Sequence, residues 1–204
     1  MLIIGLTGSI GMGKSAAAGF FRAQGVSVFD SDAEVHRLYA GEAVPLIEPA
    51  FPGTTLDGAV DRGLLLKVLM TDPSGFKRLE AIVHPLVRAG QRRFLERASD
   101  RGESLAVLEI PLLFETGGEK LVDVTVVVSA RADVQRQRVL ARPGMTPEKL
   151  DAILARQVPD AEKRRRADFV VDTGGTLDET ERQITSIVAA LKGRKGEAYR
   201  CIWL

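Results

Sequence analysis

Asparagine is missing from the chain of 204 residues, and cysteine occurs once, at Cys201. Without asparagine there can be no Asn-Lys-x-Asp element of the kind that reads guanine in GTP-dependent switches. With one cysteine the chain can form neither an intrachain disulfide nor a cysteine-rich zinc site. No apolar run approaches the length of a membrane span. No basic leader or cleavage site precedes the first apolar segment, so a cytoplasmic location is expected. The formal net charge is only +1, so no overall basic field speaks for nucleic acid, and anionic ligands must be met by local clusters. Neither a nucleic-acid nor a membrane partner is expected, and the chain is read as a monomer or weak homo-oligomer. Internal repeats and low-complexity segments are also lacking. The length allows one sizeable core with an insertion, not two full domains.

Against these absences one motif stands out. Gly8-Ser9-Ile10-Gly11-Met12-Gly13-Lys14-Ser15 spells the phosphate-binding loop G-x-x-x-x-G-K-[ST] in full. The apolar run Leu2–Thr7 before it reads as a buried strand, and Ala16–Arg22 after it reads as a helix. That strand–loop–helix setting is the context the motif requires. Its glycines let backbone N–H groups point into one concavity at a helix N-terminus, where phosphate oxygens bind. Lys14 is expected to reach the β/γ-phosphates of a nucleoside triphosphate, and the Ser15 hydroxyl to sit on Mg²⁺.

Strand-like and helix-like segments alternate along the rest of the chain, which predicts an α/β fold with a parallel sheet flanked by helices. Val26–Phe29, ending at Asp30, reads as a second strand, and Leu105–Ile110, Val122–Val128 and Phe169–Val171 with Asp172 as three more. A helix is predicted over Leu177–Leu191. Between Asp32 and Ala98 no strand signal is seen, and helical periodicity is clear in Leu64–Leu69 and Gly75–Leu95. A crossover that long is an inserted helical subdomain, not a loop. A charged helical stretch from Ala132 to Ala167 is broken at Pro143-Gly144 and Val158-Pro159, which suits a lid that hinges over phosphates. The expected division is a core of 1–31, 103–131 and 167–193, a helical subdomain 32–102, a lid 132–166, and a poorly anchored tail 194–204 in which Trp203 docks at no position the sequence reveals.

In an open parallel sheet, ligands gather beyond the carboxyl ends of the strands. Asp30-Ser31-Asp32 follows the second strand, and phosphoryl transfer to a hydroxyl needs a carboxylate to orient it and accept its proton. Asp32 is the candidate base and Asp30 the candidate helix cap; the alternative is that both merely solvate the strand end. Glu109, at the end of the third strand, either faces Mg²⁺ or is only solvated. Arg138 and Arg142 stand one helical turn apart and are candidates for stabilising transferring charge. Arg156 and the run Lys163–Arg166 make the same segment basic, the run reading mainly as a solvated face. Asp61 reads as a helix cap, leaving Arg62 free to hold an acidic substrate group or simply exposed. His84-Pro85 interrupts a helical pattern, and the proline is expected to kink or restart the helix. A histidine alone in such a place is more often structural than catalytic.

Together these elements resemble the dephospho-coenzyme A kinase family. The resemblance is carried by the phosphate loop, the Asp-x-Asp after strand two, the Asp61-Arg62 pair, Leu79–Val87 around His84-Pro85, Ile110-Pro111-Leu112-Leu113-Phe114-Glu115, Gln135–Arg138 and Ala167–Asp172, in that order. It runs from Leu2 to about Leu191. It implies a P-loop kinase core with a coenzyme-binding helical insertion and a lid. The implied activity is ATP- and Mg²⁺-dependent phosphorylation of the ribose 3′-hydroxyl of dephospho-coenzyme A, the last step of coenzyme A synthesis. By the same resemblance, Gly8 and Gly11–Ala16 (Gly11, Met12, Gly13, Lys14, Ser15, Ala16) hold the ATP phosphates. Asp32 is the base, Lys14, Arg138 and Arg142 act with it, and Thr7, Arg62 and His84 touch the acceptor together with Asp32. Ser15 and Glu109 serve the metal. The chain departs from the family in Ala16, where threonine is usual, and in Thr173-Gly174-Gly175, where Asn-x-Gly is usual, which leaves the adenine contact unassigned. Two rivals are another nucleoside or nucleotide kinase, and a nucleotide-hydrolysing switch.

Overall fold

The computed structural model describes residues 1–72 and 74–204 and divides into two compact units, Met1–Phe29 with Leu95–Leu204, and Asp30–Phe94. In the first unit, β1 (Leu2–Thr7) is fully buried, as its unbroken apolar run requires of a strand covered on both faces. It is central in a five-stranded sheet ordered β2 (Ser27–Asp30), β5 (Leu105–Glu109), β1, β6 (Val124–Ser129), β7 (Phe169–Asp172). β5 and β6 flank β1 in parallel, with Leu6 opposite Glu109 and Thr7 opposite Val127, and β7 pairs in parallel with β6. Leu2, Ile4 and Leu6 pack with Val107, Val126 and Val128 and with Ala17, Ala18 and Phe21 of α1 (Lys14–Ala23). Ile184, Ile187 and Leu191 of α9 (Leu177–Leu191) join the same core. Because the strands run together, Thr7, Glu109, Ser129 and Asp172 all mark carboxyl ends of the sheet.

The predicted strand and helix ends hold to within a residue or two, except that the helix read over Gly75–Leu95 runs on to Asp100; α9 matches its predicted span. Its start is closed by a capping box on which the sequence prediction did not rest: Thr176 Oγ1 accepts the Glu179 N–H, while Glu179 Oε2 accepts the Thr176 N–H at 2.7 Å. Thr176→Ala is expected to lower unfolding free energy by about 1 kcal/mol. A shift of the denaturation midpoint in urea at unchanged slope would show it.

The second unit holds α2 (Ser31–Tyr39), α3 (Val44–Ala50), α4 (Arg62–Thr71) and most of α5 (Gly75–Asp100), which continues into the first unit. Leu38, Ile47, Phe51, Leu65, Leu69 and Val83 form its core. Three expectations are corrected here and at the C-terminal end. The segment is not strand-free: β3 (Thr55–Leu56) and β4 (Ala59–Val60) pair antiparallel across Asp57 and Gly58 at φ 50° and 77°, the left-handed pair that a two-residue hairpin needs. Pro85 does not break α5, which continues through it; the carbonyl it leaves unbonded belongs to Ala81, and both residues are exposed to water. The tail is firmly held. Asp123 Oδ1 accepts the N–H groups of Glu197 and Ala198 at 2.6 and 2.8 Å while its Oδ2 accepts Ile3 N–H at 2.8 Å. Trp203, 1% exposed, donates from Nε1 to the Leu121 carbonyl.

The basic stretch after β6 forms α6 (Ala132–Leu140), α7 (Pro147–Leu154) and α8 (Asp160–Arg166), with breaks at the predicted positions, and it clusters with the first unit. Among the described residues no helix is long and apolar enough to cross a membrane.

Candidate functional site

The phosphate loop bridges β1 and α1, and its glycines are dictated by space and dihedral. A Cβ on Gly8 would lie 2.3 Å from a Val128 methyl and 2.8 Å from the Val128 carbonyl oxygen. Gly11 and Gly13 have φ 77° and 80°, a left-handed backbone that side chains rarely adopt. Gly13 caps α1, so Lys14, Ser15 and Ala16 present the partnerless N–H groups of a helix start, where the helix dipole favours an anion. Met12 is different: its N–H already bonds the Ser9 carbonyl at 3.1 Å, and its side chain is buried, with Sδ accepting the Ala130 N–H.

Lys14 Nζ lies 2.6 Å from Glu109 Oε1, with the two side chains 15% and 4% exposed. The strand register explains the meeting, since Leu6 is paired with Glu109 and the loop turns back over the end of β5. The sequence expectation named both residues separately and missed that they touch. Ser15 and Ala16 are exposed at the first turn of α1. Thr7 is fully buried and its hydroxyl donates to the Pro111 carbonyl at 3.2 Å, so it braces the end of β1, and its side chain is not offered to a ligand as expected.

Thr173 is a junction that sequence reasoning treated only as a departure. Its hydroxyl lies 2.9 Å from the Met12 carbonyl and 3.2 Å from that of Ser129. Arg138 Nη2 donates to the Thr173 carbonyl at 2.7 Å and Nη1 to its hydroxyl oxygen at 3.3 Å. Arg138 is thereby held to the strand end beside the loop. Arg142 does not share its helical face as expected, because α6 ends at Leu140 and Arg142 lies beyond its cap, exposed. The charge run is divided as well. Arg165 pairs with Glu162 and Arg166 with Glu119, while Lys163 is 0% exposed against Glu115.

In the second unit, Asp30 is the N-cap of α2, its Oδ1 accepting Ala33 N–H at 2.9 Å. Asp32, in the first turn, is exposed, and its carboxylate has no partner among the described residues. Asp61 Oδ1 caps α4 through Leu64 N–H, which leaves Arg62 exposed at the first helical position. Burial pushes the Tyr39 hydroxyl above its ordinary pKa, and the nearby Arg62 charge opposes that rise. His84 is exposed on α5.

A family model described as dephospho-CoA kinase matches residues 2–179. A dephospho-CoA kinase of Rhodopseudomonas palustris is 61% identical over 190 residues, covering 93% of this chain and 96% of the relative. One from Mesorhizobium japonicum is 60% identical over 196 residues, covering 96% of this chain and all (100%) of the relative. Among solved structures, a Thermus thermophilus protein superimposes with TM-score 0.80 at 38% identity, over 94% of this chain and 98% of its own. A dephospho-CoA kinase from Campylobacter jejuni gives TM-score 0.70 at 22% identity, over 93% and 96%, a likeness of fold alone.

Proposed function

The chain belongs to the dephospho-CoA kinase family, and from that premise we propose that it transfers the γ-phosphoryl group of ATP to the ribose 3′-hydroxyl of dephospho-coenzyme A. The observation that carries the reading is the intact phosphate loop, with Gly13 turning its backbone into α1 and Lys14 standing over the sheet end. The family match favours this activity over another nucleotide kinase or a hydrolysing switch. A cytoplasmic location is part of the proposal.

In this mechanism the N–H groups of Gly11, Gly13, Lys14, Ser15 and Ala16 hold phosphate oxygens, and the Lys14 ammonium meets their charge. Gly8 lets the loop lie close against β6, and Met12 contributes by anchoring it through its carbonyl and sulfur. Ser15 and Glu109 supply hydroxyl and carboxylate oxygens, the hard donors that suit Mg²⁺ beside substrate phosphates. Bound there, Mg²⁺ would offset phosphate charge. Asp32 orients the acceptor hydroxyl and accepts its proton, and its partnerless carboxylate is free for that work. Arg62 and His84 contact the acceptor. Arg138, steadied by Thr173, and Arg142 stabilise charge on the transferring group.

The test is ADP release by the full chain with ATP and Mg²⁺, with and without dephospho-coenzyme A, and mass spectrometry of the product. ADP formed only with the acceptor, together with coenzyme A, is the expected result. Acceptor-independent hydrolysis would point to the switch.

A further inference from the structure

We propose that Gln135 and Gln157 are positioning residues that clip the Ile10 backbone of the phosphate loop to the basic segment 132–166, so that loop shape and segment position are set together. Gln135 Nε2 donates to the Ile10 carbonyl at 2.7 Å, and the Ile10 N–H donates to Gln157 Oε1 at 3.3 Å. One residue is thus held by both of its backbone polar groups, from two different parts of the segment. Gln135 lies on α6 and is 7% exposed; Gln157 stands in the link between α7 and α8. The contact is close in the backbone too. A Cβ on Gly11 would come within 2.4 Å of a Val139 methyl and 3.2 Å of the Gln135 carbonyl oxygen.

Gln157 is not at the end of a loose link. The next N–H, that of Val158, donates to Glu115 Oε1 at 2.9 Å. The same oxygen lies 2.9 Å from the wholly buried Lys163 Nζ, with which it forms an ion pair. Asp160 Oδ2 accepts the Ser129 hydroxyl at 2.7 Å. The link at 157–160 is therefore pinned to the segment that follows β5 and to the end of β6, and Gln157 reaches the loop from a fixed base. An ion pair taken out of water is costly to break from one side, so it suits a fixed anchor. Between them, the two amides leave the loop's first peptides little freedom. The N–H groups further along, from Gly11 to Ala16, are then already aimed when phosphate arrives, which lowers the ordering cost of binding.

The two glutamines use opposite ends of the same functional group, and that makes the inference testable. Gln135 works as a donor. A glutamate there would set a carboxylate against the Ile10 carbonyl oxygen, two acceptors facing each other. Gln157 works as an acceptor, and a glutamate there keeps the oxygen that the Ile10 N–H needs. Methionine has similar length, donates nothing, and accepts only weakly through its sulfur. The inference rests on the reading of residues 8–15 as the nucleotide site, so ADP binding by the full chain is measured first, by calorimetry. Wild type that fails to bind ADP overturns that reading and not merely the clip.

Given wild-type binding, Gln135→Met and Gln157→Met are each expected to weaken ADP affinity roughly five- to tenfold, the scale of one lost hydrogen bond. KM for ATP should rise with kcat little changed. Gln135→Glu should bind more weakly than Gln135→Met, whereas Gln157→Glu should bind more tightly than Gln157→Met. That reversal of order is something a general loss of packing would not produce. Hydrogen exchange at the Ile10 amide should quicken in Gln157→Met and stay slow in Gln157→Glu. Unchanged ADP affinity in both methionine variants, or glutamate ranking below methionine at both positions, overturns the clip.

Discussion

Replacing Lys14 by alanine is expected to lower kcat by about 10²–10³, the effect of removing one preorganised donor to developing charge, on the order of 2.7–4 kcal/mol of barrier. The structure adds a second consequence. Glu109 is buried and its carboxylate rests on the Lys14 ammonium at 2.6 Å, so the variant strands a carboxylate out of water. A fall in melting temperature should therefore accompany the fall in rate, and the two must be separated. The double variant Lys14→Ala with Glu109→Gln removes the stranded charge. Its melting temperature should recover toward wild type while turnover stays at or below the level of Lys14→Ala, because Glu109 is also a proposed Mg²⁺ donor. Recovery of turnover along with melting would mean that Lys14 acts by neutralising Glu109 and not by meeting phosphate. A Lys14→Ala protein that turns over at the normal rate would remove the loop from the mechanism altogether.

How far the sequence could be read depended on whether a signal was local. The runs Leu2–Thr7 and Val124–Ser129 are too apolar for anything but buried strands, and the capping box at Thr176 and Glu179 marks the start of α9 within four residues of chain. The caps at Asp30 and Asp61 are equally local, each bonding an N–H three residues on. Strands β3 and β4 escaped because two residues apiece are too few to show a period of two, although Asp57-Gly58 between them is a hairpin signal in itself. The pairing of Arg138 with Arg142 failed because helical spacing was extended past the point where the helix stops, at Leu140. The rest was out of reach for a different reason. Thr173 meets Met12 across 161 positions, Gln135 meets Ile10 across 125, and Lys14 meets Glu109 across 95. Contacts of that span exist only after the sheet has brought its strand ends together, and no window along the chain contains both partners.

The roles of Asp30 and Asp32 are the sharpest division the site offers, because the two carboxylates are separated by one residue and differ in what they touch. Asp30 already spends an oxygen on the Ala33 N–H, at 2.9 Å, as the N-cap of α2. Asparagine keeps a side-chain oxygen and caps about as well as aspartate, so Asp30→Asn should leave both stability and turnover near wild type. Asp32 has no partner to lose, and its exposed position in the first turn gives no packing that asparagine would disturb. Asp32→Asn should therefore fold and melt as wild type does. Its turnover should nevertheless fall by about 10²–10⁴, the usual contribution of a positioned general base, since an amide cannot accept the proton of the acceptor hydroxyl. ATP affinity should be almost unchanged, because the proposed work of this carboxylate is on the acceptor side of the reaction. Steady-state rates and ATP titrations on the two single variants decide the matter. If Asp30→Asn is the inactive protein and Asp32→Asn the active one, the base has been assigned to the wrong carboxylate. If Asp32→Asn instead loses ATP affinity with kcat intact, the residue belongs to nucleotide binding and the proton must leave by another group.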